Sequence, residues 1–357
     1  MNAKSDNSSS QLLGDLRAAQ ALAFAPLLFA AAKSLRDRGI LRLLHQRRPE
    51  GLTAQQVSQQ AQLSIYGAKV LLEAGLAASL VSHEDGRFRL TRVGYLFFRD
   101  PMTRVNTNFT ADVCYRAAEY LEASIDQGRA VGLQTLGDFP TVYEGLKDLP
   151  EPAKSSWFEF DHFYSDETFP LMLPLILAKR PSKLLDIGGN TGKFALQLLR
   201  ADPEVKVTVA DLPGQIAACR ANLQESGLLE RAQLHEISVL SLEATLPGDQ
   251  DMIWMSQFLC CFSEPEIVHI LQLARGALAK GGQIWILETF WNEQDNDVAE
   301  LCLQATSLYF TTVANGNSRM YDSATFRRLL SEAGLGVQQE THHIGWGHSL
   351  LRCAAEV

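Results

Sequence analysis

The sequence has no excess of positive charge, no paired cysteines and no long hydrophobic run, and each absence removes a class of function. Its 32 Lys and Arg are outnumbered by 41 Asp and Glu, a formal charge of −9. That balance argues against nucleic acid or an anionic membrane surface as a partner, since both are bound by neutralising phosphate charge. Six cysteines, at 114, 219, 260, 261, 302 and 353, form no C-x-x-C pair and no metal-ligand spacing. They read as reduced residues of a cytoplasmic protein without a metal site. The apolar run from Ala21 to Ala32 is too short to span a bilayer. It also lies too far into the chain, behind Asp15 and Arg17, for a secretory signal, so no targeting segment is expected. What remains is ordinary globular composition, 46% hydrophobic and 20% charged, over 357 residues, enough for two domains with full cores.

The informative stretch is Leu184-Leu185-Asp186-Ile187-Gly188-Gly189-Asn190-Thr191-Gly192-Lys193-Phe194. An apolar run ending in an acid, a glycine turn and an amphipathic start describe a buried parallel strand, a tight turn and a helix. Ligands of open α/β sheets bind beyond the carboxyl ends of the strands, where glycines let them approach the backbone. A dinucleotide site needs G-x-G-x-x-G, and only Gly188 or Gly189 with Gly192 can be matched to it. Asp186 at the strand end would repel a pyrophosphate but suits the ammonium of an amino-acid moiety. A second strand, Val207-Thr208-Val209-Ala210-Asp211, ends in an acid placed to accept ribose hydroxyls. Adenosine joined to an amino acid fits both sites, which points to S-adenosylmethionine (SAM).

"LLDIGGNTGKF" and "VADLPGQ" resemble the first two motifs of class I SAM-dependent methyltransferases, and Asp211-Leu212-Pro213 resembles the small-molecule O-methyltransferase branch of caffeate and hydroxyindole type. The resemblance implies an α/β fold, a Rossmann-like doubly wound methyltransferase domain preceded by an α-rich winged-helix domain that makes a homodimer. The runs "SQFLCCFSE", "DHFYSD" and "SLYFTTVANGNSRMY" look like a bacterial subgroup associated with aryl-polyene pathways.

Taken in order, residues 1–10 read as a disordered tail and 11–104 as the winged-helix domain. Apolar positions recur at helical spacing from Leu12 to His45, with Pro26 expected to kink or split the helix. Helices over 53–61 and 64–75 follow, the first opened by a Thr53–Gln56 capping box. A hairpin over Ala78–Ser82 and Arg87–Thr91 completes the winged helix-turn-helix order. A DNA-binding regulator would need basic and amide side chains on the second helix, but Lys69 is offset by Glu73 among Ile, Val, Leu and Ala. Residues 105–180 form a helical, aromatic-rich connector that, by the resemblance, lines the active site. The catalytic domain spans 181–357, with strands expected at 184–187, 206–210, 233–237, 251–256, 283–288, 335–343 and 348–354.

Methyl transfer from a sulfonium needs an aligned nucleophile, a base if the acceptor is a phenol, and exclusion of water. In the family a His-Asp-Trp run after the fourth strand supplies the base. The resemblance puts Cys260 at that His, Cys261 at the Asp and Phe262 at the Trp. Glu288 matches one supporting acid, and Ser318 or a neighbour replaces the other. The base then has three solutions: another residue (His162, Tyr164, or His342 and His343), proximity alone for an acidic acceptor, or methylation of a ring carbon beside a phenolate. His162, Tyr164 and Asp166 are polar entries in an aromatic segment. Singly each suits a structural hydrogen bond, and together they are acid/base candidates.

The catalytic candidates are therefore His162, Glu288 and Cys260. Those for the cofactor are Asp186, Gly188, Gly189, Asn190, Gly192, Asp211, Leu212, Val239, Leu240, Ser256, Gln257 and Phe262. An acceptor pocket is expected around Phe163, Tyr164, Trp291, Tyr309, Asn315 and Met320, with Phe310 beside them; aromatics and Met suit a flat ring. His348 reads as structural. The expected activity is methylation, at oxygen or ring carbon, of a small aromatic acceptor, free or carrier-bound. The rivals are a SAM-binding member with lost or altered catalysis and a winged-helix regulator, with a nicotinamide dehydrogenase behind them.

Overall fold

The computed structural model describes residues 3–356, with side chains described from Ser10 onward. The chain divides into two compact units between Asn108 and Phe109.

The first unit holds α1 (Ala3–Ala23), α2 (Ala25–Asp37), α3 (Ile40–Gln46), α4 (Ala54–Gln60) and α5 (Ile65–Ala77). The hairpin β1 (Val81–Glu84) and β2 (Arg87–Leu90) and then α6 (Arg92–Arg99) follow. Helix α1 runs through most of the stretch read from sequence as a disordered tail; residues 1 and 2 lie outside the described residues. The helical pattern of 12–45 breaks twice rather than once. Pro26 sits in the first turn of α2, where its missing N–H costs nothing, and Gly39 takes φ +73° between α2 and α3. The capping box closes as expected: Thr53 N–H donates to Gln56 Oε1 at 2.9 Å and Gln56 N–H to Thr53 Oγ1 at 3.2 Å. The hairpin starts at Val81, not Ala78, because Ala78 still caps α5 and Ser79 turns through φ +59°. Leu35, Leu41, Leu44, Val57, Leu72 and Phe88 form the core of this unit.

Leu12, Leu13, Leu16, Leu22, Phe24 and Leu27 remain exposed along α1 and the start of α2, as do Ile65, Tyr66 and Val70 on α5. Among the described residues no single helix is long and apolar enough to cross a membrane; Ser10–Ala23 and Ala25–Asp37 meet the criterion only as a pair, bent by 75°.

Helix α7 (Pro101–Phe109) carries the chain into the second unit, followed by α8 (Leu121–Gln127), α9 (Val142–Gly145), α10 (Ala153–Ser165) and α11 (Phe169–Leu177). Then come β3 (Lys183–Ile187), α12 (Lys193–Ala201), β4 (Lys206–Asp211), α13 (Pro213–Glu225), β5 (Ala232–Glu236) and β6 (Gln250–Ser256). The chain ends with α14 (Glu264–Gly276), β7 (Leu278–Glu288), α15 (Asp297–Tyr309), α16 (Ser323–Glu332), β8 (Leu335–Ile344) and β9 (His348–Ala355).

The seven strands β3–β9 form one sheet in the order β5-β4-β3-β6-β7-β9-β8, parallel except for β9. Side chains alternate between its faces. Leu185, Ile187, Ile253, Met255, Ile284 and Ile286 pack beneath α14 and α16, while Leu184, Val207, Val209, Trp254 and Leu287 pack beneath α11–α13. Strand order reverses between β3 and β6, and the crevice at the carboxyl ends of those two strands is where such sheets place ligands.

Candidate active site

At that crevice β3 runs out into the turn 188–192. Gly188 has φ +77°, and a Cβ there would collide with the ring of Phe258, so the tightness of the turn excludes any other residue. Asn190 also takes a positive φ, +49°, which Asn tolerates better than most side chains. Its backbone N–H donates to Asp211 Oδ2 at 2.8 Å, and Leu212 N–H donates to Asp211 Oδ1 at 2.7 Å. Burial pushes the Asp211 carboxyl up to about 6 against these two bonds, and each oxygen keeps a lone pair for a ligand hydroxyl.

Asp186 is the next-to-last residue of β3. It is 2% exposed, on the strand face beneath the turn, and a Cβ on Gly189 would lie 2.7 Å from its Oδ2. Burial first, and then the nearby Asp211 charge, push its carboxyl up to about 8, so it is mostly neutral at pH 7. Its Oδ2 has no hydrogen-bond partner among the described residues.

Buried polar atoms without partners recur at the neighbouring strand ends: Ser256 Oγ at the end of β6, Gln257 Nε2 just after it, and Glu288 Oε2 at the end of β7. Such atoms are costly in a finished core and expected where a ligand completes the hydrogen bonding. The cluster containing Val239 also packs Phe258 and Phe262, whose rings meet edge to face at 4.8 Å, whereas Leu240 is 41% exposed. Glu288 Oε1 accepts the Leu259 and Cys260 amides at 2.7 and 3.3 Å, holding the turn where the family base is expected. Burial pushes Glu288 up to about 7 against those bonds.

Cys260 is buried, and the neighbouring Cys261, burial and Glu288 all drive its thiol well above the usual cysteine range. It is a protonated thiol at neutral pH and cannot accept a proton there. It joins Trp157, Tyr309, Phe310, Val313 and Met320 in one apolar cluster, bordered by Tyr143, Phe160 and Cys261. Two π-helical turns, Thr110–Cys114 and Phe310–Ala314, deliver residues to this cluster, a distortion common where side chains are re-aimed for function. Trp157 Nε1 donates to the Tyr309 hydroxyl at 2.7 Å. The Tyr143 hydroxyl is buried without a partner among the described residues.

Other expected pocket residues are engaged differently. Phe163 stacks on Trp346 at 5.5 Å, Tyr164 meets both Phe160 and Phe163 edge to face at 5.2 Å, and the Trp291 backbone N–H donates to Tyr321 O at 3.3 Å. Asn315 is used by the fold: its Nδ2 donates to Cys261 O at 2.6 Å and its Oδ1 accepts from Ser318 Oγ at 2.7 Å. His342 and His343 pair with Glu340 and Asp295 instead of joining the cluster. His348 is fully buried, pushed down to about 4 by burial, and faces Thr168 Oγ1 at 3.3 Å, a neutral structural imidazole.

Helix α10 joins the apolar cluster to the glycine turn. One turn after Trp157, Asp161 Oδ2 lies 3.5 Å from Asn190 Nδ2 and 3.7 Å from His162 Nδ1. Asp166 Oδ1 lies 3.8 Å from the same His162 nitrogen, and Asp166 Oδ2 binds Lys193 Nζ at 2.7 Å. Burial, then Lys193, lower the His162 pKa, with Asp166 opposing, so the ring is neutral at pH 7. Sequence reading missed Asp161, Lys193, Tyr143 and Phe258. Lys193 carried a signal: a cation in the first turn of a helix opposes the helix dipole and needs an acidic partner. Tyr143 carried none.

Family models match the chain over residues 16–88, as a Dimerisation2-like domain, and over 175–336, as an O-methyltransferase domain. The chain is similar to L-tyrosine C(3)-methyltransferase of Streptomyces lavendulae, 24% identical over 302 residues, covering 83% of this chain and 81% of that protein. It is also similar to 3-hydroxy-5-methyl-1-naphthoate 3-O-methyltransferase of Streptomyces sahachiroi, 23% identical over 291 residues and 79% of each chain. Among solved structures, the S-adenosylmethionine-dependent methyltransferase SibL in its apo form superposes with a TM-score of 0.70 at 26% identity, covering 95% of this chain and 99% of that one. The glycine turn, the acid ending β4 and the sheet order agree with these matches, and the chain belongs to the O-methyltransferase family, as an enzyme that uses S-adenosylmethionine.

Proposed function

We propose that this enzyme methylates a small phenolic aromatic, at the phenol oxygen or at the ring carbon beside it, with His162 as the base that generates the phenolate. The observation that carries this reading is the span of α10, which gives Trp157 to the aromatic cluster, sets Asp161 beside Asn190 of the glycine turn, and holds His162 between Asp161 and the C-cap residue Asp166. The tyrosine and naphthoate specificities in the names of the two relatives point the same way.

SAM supplies the electrophilic methyl group when bound. Asp211 would accept the ribose hydroxyls, the 188–192 turn would cradle the amino-acid end, and Val239, Ser256, Gln257 and Phe262 would surround the adenosine. On the acceptor side, Trp157, Tyr309 and Met320 present flat, apolar surface to a ring and exclude water. Two carboxylates facing Nδ1 of His162 favour a proton on that nitrogen and leave Nε2 to take the phenol proton. Glu288 positions the 259–260 turn, and Cys260 contributes packing. Cys260→Ser is accordingly expected to keep methyl transfer within a few-fold of wild type; a loss of more than about 100-fold would put the thiol in the chemistry. Incubation with labelled SAM and a panel of phenols is expected to give labelled, acceptor-dependent product. Binding of SAM with no turnover on any phenol would favour a member with lost or altered catalysis.

We further infer a homodimer formed through α1 and α2, along which Leu12, Leu13, Leu16, Leu22, Phe24 and Leu27 stay exposed in the single chain, as expected where a partner covers them. Wild type is expected to elute at twice the chain mass in size-exclusion chromatography with light scattering. A Leu16→Asp/Leu27→Asp variant is expected at the chain mass. A monomeric wild type would remove this reading.

A further inference from the structure

We infer that Asp161 holds the α-ammonium of SAM, taking the role that sequence reading gave to Asp186. This rests on the SAM site proposed above. Asp186 is 2% exposed, whereas 36% of the Asp161 side chain is accessible and so open to a ligand. The Asp161 Oδ2 is turned toward Asn190 and His162, and its Oδ1 has no hydrogen-bond partner among the described residues. Asn190 joins the two ends of the site: its backbone N–H binds Asp211, where ribose would sit, and its side chain reaches Asp161. An adenosyl amino acid anchored by its ribose at Asp211 therefore runs along the turn toward Asp161.

Charge balance gives the second argument. Asp161 and Asp166 face His162 within α10, Lys193 from α12 and Tyr309 from α15. Lys193 is paired to Asp166, and the imidazole is neutral at pH 7, so one carboxylate charge has no counter-ion in the protein. Burial and the Asp166 charge push Asp161 up to about 6 despite Lys193, so a cation beside it would favour its charged form. A ligand ammonium supplies that cation, and a charge-assisted hydrogen bond with it.

Calorimetric binding of SAM and of 5′-methylthioadenosine, which keeps the adenosine but lacks the amino-acid part, to wild type and to Asp161→Asn tests this. The inference predicts SAM affinity about 10- to 100-fold weaker in the variant, with 5′-methylthioadenosine affinity unchanged. SAM affinity equal in the two proteins overturns it and leaves Asp161 as a group that only orients His162. Equal weakening for both ligands also overturns it, since the loss is then not tied to the ammonium. If wild type bound neither ligand, the cofactor site itself would be wrongly located, an outcome distinct from the other two.

Discussion

Replacing Asp211 with alanine is expected to weaken SAM binding by about 100-fold or more, the equivalent of one or two charge-assisted hydrogen bonds at about 1.5–3 kcal/mol each. The carboxylate does two things at once. In the proposed site its free lone pairs would receive the ribose hydroxyls, and its oxygens hold the Asn190 and Leu212 amides that shape the turn. Asp211→Asn separates these roles, because the amide keeps one acceptor oxygen but loses the charge. An intermediate loss is expected for it, and the full loss for alanine. Isothermal titration with SAM and with its demethylated product checks both variants. Affinity unchanged in Asp211→Ala would move the ribose away from the end of β4.

The second large effect is on the chemical step. His162→Gln is expected to lower kcat by about 100- to 10,000-fold, the usual range for removing a positioned general base, while SAM affinity stays within a few-fold. The pH profile supplies an independent readout. A base must be unprotonated, and the desolvated His162, facing Lys193, has its pKa below the usual 6.5. Its activity is therefore retained through neutral pH and lost as pH falls through that lowered value. Wild type is expected to show an acid limb below pH 6.5, and the variant's residual rate is expected to lack it. A variant with wild-type kcat, or with the acid limb intact, would assign the proton to another group or leave the acceptor to ionise unaided.

Much of the cofactor half was legible because its determinants are local. The run from Leu184 to Phe194 specifies strand, turn and helix through the length of its apolar run, its glycines and its helical periodicity. Gly188 at φ +77° sits where the motif required it. The seven strands fall near their expected places for the same reason, each an apolar run between polar turns. Errors arose where an element's end depends on neighbours. The hairpin starts late because α5 extends through Ala77.

The acceptor half was far less legible. His162 stood out as a polar residue in an aromatic segment, but its meaning rests on Asp166 one turn away and on Lys193 across the turn from another helix. Asn315 and Trp291 had suitable chemistry for a pocket, yet the fold uses Asn315 to hold the Cys261 carbonyl and places Trp291 beside Tyr321. Cys260 was readable only as a departure from a family pattern. That its thiol is protonated, and so unable to act as base, follows from burial and from Glu288 and Cys261 beside it.

By itself, then, the sequence determined the class of sheet and the strand–turn–helix at its switch point, because each depends on residues close together in the chain. Only the tertiary structure decided which carboxylates stay accessible, which acids stand beside the His162 imidazole, and that the Cys260 thiol is buried. Exposure, pairing and pKa are properties of neighbours, and here those neighbours come from α10, α12, α15 and the ends of four strands that are far apart in sequence.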